Sequence, residues 1–148
     1  MLSVARSGAD LELDVTAPDA GERLLEACPG TPWALVNNAG TSRARALDDL
    51  SDSDWQEQWE LHVMAPMRLM RAVAPAMAEA GGGRIVNMSS SSGRRPSGRL
   101  DASYSVTKAA VLSVPREDHN CAHVIDCAEI DAGRHGVGAV EHGVERQR

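Results

Sequence analysis

The segment Trp33-Ala34-Leu35-Val36-Asn37-Asn38-Ala39-Gly40 carries four apolar residues without a polar break into a turn of asparagine and glycine. Such a run is expected of a strand buried on both faces, as in a parallel sheet covered by helices. Upstream, Leu11-Glu12-Leu13-Asp14-Val15 alternates apolar and polar side chains like a strand, and residues 19–27 read as a helix that ends near Pro29-Gly30. Downstream, Ser53 with Gln56 reads as a capping box that opens a long helix. In it Trp55, Trp59, Val63, Pro66, Met70, Val73 and Met77 recur every three or four residues and predict one buried stripe. Pro66 has no backbone donor and predicts a bend there. Gly81-Gly82-Gly83 closes the helix, residues 84–88 predict a second buried strand, and residues 104–114 predict a helix that Pro115 stops. Strands alternating with helices in this way imply an α/β fold with a parallel sheet and right-handed crossovers.

The composition narrows the class of protein. A chain of 148 residues, 43% hydrophobic and 24% charged, is the size of one domain and has ordinary globular usage, which argues against disorder and fibrous structure. A net charge of −6 repels phosphate backbones and anionic lipid, so nucleic acid and membrane surfaces are disfavoured partners. No apolar run reaches 18 residues, and residues 1–6 lack the basic and apolar regions of a signal peptide, so a cytoplasmic location is expected. Cys28, Cys121 and Cys127 are odd in number and lack framework spacing, which fits reduced thiols.

The chain changes character after Val114. Every leucine lies at or before Leu112, whereas four of the five histidines and two of the three cysteines follow Pro115. Residues 1–114 therefore read as one incomplete domain and residues 115–148 as an atypical, irregular tail. A flexible extension, a small metal site and an altered reading frame each account for such a tail, and the loss of any apolar period favours the last.

Chemistry enters with Tyr104, the only tyrosine, four residues before Lys108, the only lysine among fifteen basic side chains. On a helix, positions i and i+4 share a face. A compact ammonium beside a phenol favours the phenolate, which makes a group with an ordinary pKa of about 10 usable as a general acid or base. Ser90 follows an apolar strand and opens a Ser-Ser-Ser-Gly loop, where a hydroxyl can donate to a bound carbonyl. Asn37-Asn38-Ala39-Gly40 stands at the carboxyl end of a strand, where open α/β sheets bind ligands.

With Asp14-Val15, Asn37-Asn38-Ala39-Gly40, Ile85-Val86-Asn87-Met88-Ser89-Ser90 and Tyr104-Ser105-Val106-Thr107-Lys108 in that order, residues 11–114 resemble the short-chain dehydrogenase/reductase family. The resemblance implies a Rossmann-like, doubly wound parallel sheet and an NADP- or NAD-dependent oxidoreductase acting on a small carbonyl or alcohol. It implies that Tyr104 transfers the proton, that Ser90 orients the substrate oxygen, and that Lys108 lowers the proton affinity of Tyr104 while bonding the nicotinamide ribose. Asn38, Ala39 and Gly40 would border that ribose. Asp14 would accept from the adenine amino group, with the Val15 backbone donor beside it. If residues 2–5 are a strand, Arg6 stands at its end, where a guanidinium can hold a 2′-phosphate, and this tips the choice to NADP. The resemblance also implies a homo-oligomer in a complete protein.

Three departures qualify the pattern. Seven residues after Trp55, where the family has an asparagine that helps hold a proton-relay water, this chain has His62, which can bond a water or a backbone carbonyl, or simply pack. No Gly-rich TGxxxGxG segment precedes Asp14. After Val114 the family's next strand and Pro-Gly loop are not read. The sequence thus reads as the centre of such an enzyme, without the N-terminal Gly-rich strand-helix unit and the C-terminal strands, and weak cofactor binding is expected. Two rival readings are a non-catalytic remnant that associates through its helices, and a metal-binding module built on His119, Cys121, His123 and Cys127. That spacing matches no common zinc module, so no metal ligand is expected.

Overall fold

The computed structural model describes residues 1–96 and 98–114, and the backbone of residues 122–125. Two parallel sheets form. Strands β1 (Val4–Ala5) and β2 (Leu11–Glu12) pair in one, with Val4 opposite Leu11. In the other, β3 (Ala34–Asn37) pairs with β4 (Arg84–Met88), and β4 with β5 (Ala122–Ile125). Helices α1 (Ala20–Ala27), α2 (Asp52–Trp59), α3 (Ala65–Glu79) and α4 (Ala102–Leu112) connect and cover them. The expected α/β fold with parallel strands is present.

One core ties the two sheets together. Leu13 at the end of β2, Ala20 and Leu24 of α1, Leu69, Val73 and Met77 of α3, and Ile85 of β4 are buried in a single cluster. Gly21 sits at the crossing of α1 and α3, where an added Cβ would lie 2.5 Å from the Ala72 Cβ. β1 and β2 are joined by residues 6–10 alone, with no helical crossover. Gly8 at φ 71 turns this link, and Asp10 Oδ2 holds it by accepting from the Ser3 N–H at 2.9 Å and the Ser3 hydroxyl at 2.7 Å.

Several details differ from the sequence expectations. β3 is not buried on both faces: among the described residues it pairs only with β4, and Val36 is 58% exposed. The capping box of α2 is formed by Ser51 and Asp54, not by Ser53 and Gln56. Asp54 N–H donates to the Ser51 hydroxyl while the Asp54 carboxylate accepts from the Ser51 N–H. The buried stripe of the long helical segment runs through Gln58, His62, Ala65, Leu69, Val73 and Met77, so of the predicted set only Val73 and Met77 are fully buried, and Trp59 is 40% exposed. Trp59, Val63, Pro66 and Met70 each stand one residue after a buried one, at the flank of the stripe, and a π-helical turn over Glu60–Met64 separates α2 from α3. Pro66 consequently stands in the first turn of α3, where its missing donor costs no helical bond. β5 is a strand that the reading of an irregular tail does not foresee. His119, Cys121 and Cys127 lie outside the described residues, as does the side chain of His123.

The α1–α3 crossing gives a stability test. Gly21→Ala forces a methyl into the Ala72 side chain, and overpacking of this kind costs about 1–3 kcal/mol, more than the helix propensity it gains. Urea denaturation of the variant is expected to show a lower midpoint with an unchanged slope.

Candidate active site

The two serines at the end of β4 face opposite tasks because strand side chains alternate. Ser89 points inward and its hydroxyl donates to the Lys108 carbonyl at 2.8 Å. Ser90 leaves the strand extended and its oxygen accepts from the Ser92 N–H at 3.2 Å, so its own hydroxyl proton remains available. The chain then makes a short 3₁₀ turn over Ser91–Gly93. Gly93 lies against the backbone of Lys108, and a Cβ there would come within 2.7 Å of the Lys108 carbonyl carbon. Only glycine permits this approach.

Helix α4 starts where Asp101 caps it. Asp101 Oδ1 accepts from the Tyr104 N–H and from the Ser103 hydroxyl, both at 2.8 Å, and Asp101 itself is wholly buried. One turn after Tyr104, Lys108, 6% exposed, donates from Nζ to the Met88 carbonyl at 2.8 Å. Its ammonium lies 5.8 Å from the centre of the Tyr104 ring, so the two side chains share a helix face as their spacing predicts.

Tyr104 and Lys108 line a crevice of ≈ 160 Å³ together with Asn38, Gly40, Thr41, Ser42, Met88 and Ser89. Ser90 stands at its edge, buried at the start of the 3₁₀ turn, and is not part of the lining. A second, open groove of about 1500 Å³ runs between the two sheets. Arg6, Asp14, Val15, Asn38, Ala39 and Gly40 all line it. Asn38 and Gly40 belong to both spaces, so the residues expected at a cofactor and those expected at the reacting atoms meet at one turn. Arg6 directly follows β1. Asp14 is partly committed: its Oδ1 accepts from the Thr16 N–H at 2.9 Å and the Thr16 hydroxyl at 2.7 Å, and these bonds, with a smaller pull from Arg6, hold its pKa below the usual carboxylate value.

His62 is 1% exposed and lies behind Gly40. Its Nε2 accepts from the Thr41 N–H at 3.1 Å, its Nδ1 is 2.9 Å from the Thr107 hydroxyl, and its ring meets Tyr104 edge to face at 5.4 Å. Both nitrogens are therefore taken by protein groups. Burial, then the Lys108 ammonium, push its pKa down to about 4 against the opposite pull of Asp101. Asp54 is held at about 2, chiefly by the Ser51 hydroxyl and Arg45.

Thr41, Thr107, Ser89 and Asp101 are absent from the sequence-level site. Asp101 had a local signal, an acidic residue three positions before Tyr104 at a helix start. Thr41 and Thr107 had none, since their role depends on two segments far apart in the chain. Among the described residues no group of His, Cys, Asp and Glu is arranged to hold a metal, and no helix is long and apolar enough to cross a membrane.

Comparison with known proteins agrees with this geometry. The family model for short chain dehydrogenases matches residues 6–120. The 3-oxoacyl-(acyl-carrier-protein) reductase of Escherichia coli is 34% identical over 109 residues, which are 72% of this chain and 44% of that protein. The crystal structure of a short-chain dehydrogenase from Streptomyces avermitilis superposes with a TM-score of 0.66 at 33% identity, covering 78% of this chain and 45% of the other. L-sorbose reductase from Gluconobacter frateurii, solved with NADPH and L-sorbose, gives 0.60 at 38% identity, covering 66% and 38%. The chain spans less than half the length of these relatives.

His62 and Asp54, whose shifts are the largest, act on stability in different pH windows. Between about pH 6.5 and 4 the unfolded chain binds a proton at His62 that the folded chain refuses, so stability falls with pH across that window and the His62 contribution is constant below it. Asp54 has a lowered folded value, so its contribution is complete above about pH 4 and is lost as pH falls through about 2. Denaturant midpoints measured from pH 8 to 3 are expected to slope downward from 6.5, and His62→Asn is expected to flatten the part above pH 4.

Proposed function

The chain belongs to the short chain dehydrogenase family, and we propose that it serves NAD(P)-dependent oxidoreduction of a small carbonyl or alcohol, with Tyr104 as the general acid and base. The observation that carries the proposal is the placement of Tyr104 and Lys108 in one crevice with the Asn38 to Gly40 turn.

The residues present fit a nicotinamide nucleotide. Gly40 brings the backbone close to Lys108, since a Cβ there would stand 3.7 Å from Nζ, and the groove leads from this turn to Asp14 and Arg6. When bound, the nicotinamide supplies or takes the hydride. The protein's task is the proton and the geometry. Tyr104 gives its phenolic proton to the substrate oxygen in reduction and receives it in oxidation. Lys108 donates from Nζ to the Met88 carbonyl, stands 5.8 Å from the Tyr104 ring centre and bonds the nicotinamide ribose. Ser90 donates its free hydroxyl proton to the same substrate oxygen, which fixes the oxygen and polarises the carbonyl. Asn38, Ala39 and Gly40 border the ribose. The second oxygen of Asp14 accepts from the adenine amino group beside the Val15 N–H. Arg6 favours NADP, because a guanidinium at a strand end can hold the 2′-phosphate.

Two measurements test the assignment in the full-length chain. Tyr104→Phe is expected to lower turnover about 10²- to 10⁴-fold without changing the unfolding midpoint, since no other phenol exists to carry the proton. Full activity in that variant overturns the mechanism. Titration with NADPH and NADH is expected to show tighter binding of NADPH and loss of the difference in Arg6→Ala.

A further inference from the structure

His62 sits in a chain of hydrogen bonds whose two ends are backbone groups. At one end is the Thr41 N–H, 3.1 Å from Nε2, and at the other the Tyr104 carbonyl, 3.0 Å from the Thr107 hydroxyl. An amide N–H can only donate and a carbonyl can only accept. The direction of every bond between them follows. Thr41 donates to Nε2, so Nε2 carries no proton. The neutral ring then holds its proton on Nδ1 and donates it to the Thr107 oxygen at 2.9 Å, and the Thr107 hydroxyl donates to Tyr104. The opposite tautomer would set an Nε2–H against the Thr41 N–H.

We infer that His62 is a positioning residue, locked as the neutral Nδ1–H tautomer, which ties the turn after β3 to the helix that carries Tyr104 and Lys108. This rests on the reading of Tyr104 as the proton donor. The turn passes close to the ring at Gly40, where a Cβ would lie 3.1 Å from Nε2 and 3.3 Å from Cδ2 and would press on the imidazole. The π-helical turn Glu60–Met64 presents the ring to both segments. The charged and titratable groups around it are Lys108, Asp101 and Tyr104. A ring with both nitrogens committed cannot pass a proton without breaking one of its ties. His62 therefore sets the distance between the Asn38 to Gly40 turn and the phenol, and proton relay is not its part.

The test reads the imidazole directly. Long-range ¹⁵N–¹H spectra of the labelled full-length chain, with His62→Gln to identify the signals, are expected to show the Nδ1–H tautomer unchanged from pH 7.5 to 5. Thr107→Val removes the acceptor at equal shape and is expected to keep the Nδ1–H tautomer, which the Thr41 N–H still dictates, while the Nδ1–H proton signal moves upfield with loss of its hydrogen bond; Thr107→Ser keeps the hydroxyl and restores the signal. In turnover, Thr107→Val is expected to lower kcat about 10- to 100-fold, the scale of a reactant misplaced by an ångström. The shape of the pH profile should stay the same, with recovery in Thr107→Ser. An Nε2–H tautomer, protonation near pH 6.5, an Nδ1–H signal indifferent to Thr107→Val, or a pH profile that changes shape each overturns the inference. The spectra need neither cofactor nor turnover, so failure of the dehydrogenase reading shows separately, as absent cofactor binding or a fully active Tyr104→Phe.

Discussion

The backbone of Lys108 and the chain leaving β4 approach so closely that no side chain fits between them at residue 93. Three contacts enforce this: the Ser89 hydroxyl on the Lys108 carbonyl, Lys108 Nζ on the Met88 carbonyl, and Gly93 without a side chain between them. Everything at the crevice is measured from that junction. The lysine, the tyrosine one turn before it and the serine that follows Ser89 take their relative positions from one strand–helix contact and not from flexible side chains. The bonds are also made in the interior, where leaving a polar group unpaired is expensive, so the junction resists slippage.

The opposite wall of the crevice is fixed by a different means. The turn after β3 has few apolar contacts of its own, and Asn38, Ala39 and Gly40 are exposed. Its anchors are polar. Asn37 donates from Nδ2 to Asn87 Oδ1 at 2.8 Å across the β3–β4 pair, Thr41 bonds His62, and Gln58 donates to the Thr41 hydroxyl at 3.1 Å. A wall held by hydrogen bonds of fixed direction is set more narrowly in angle than one held by packing, which suits a surface that has to meet a planar ligand.

What could be read from the sequence follows from which signals are local. Tyr104 with Lys108, the turn Asn38 to Gly40 and strand β4 are each specified by neighbours within a few residues, and the structure places them in one crevice or at its base. The long helix misled because its apolar side chains were taken to mark the buried face, whereas the face that packs inward carries the polar Gln58 and His62, with Trp59, Val63, Pro66 and Met70 one residue to its flank. Trp59 counts as core by its size and apolarity and is 40% exposed. Ser53 with Gln56 and Ser51 with Asp54 are both possible boxes two residues apart, and the choice is made by where the chain enters the helix. Strand β3 was expected to be covered because it is apolar throughout, but cover depends on what lies beside it, a property of the whole fold. His62 was visible as a departure at a defined position. Its partners Thr41 and Thr107, 21 and 45 residues away, were not.

The alternation at the end of β4 also bears on how this part of the sequence can change over time. Ser89 and Ser90 are chemically identical neighbours distinguished only by which side of the strand they occupy. Substitution can be absorbed at many positions nearby, but an insertion or deletion of one residue between β4 and Ser90 would reverse the alternation and hand each serine the other's surroundings. The loop from Arg94 to Leu100 is under no such parity, because its described residues enter no ladder before Asp101 caps α4. Length variation among descendants of this chain should therefore accumulate on one side of Gly93 and be purged on the other.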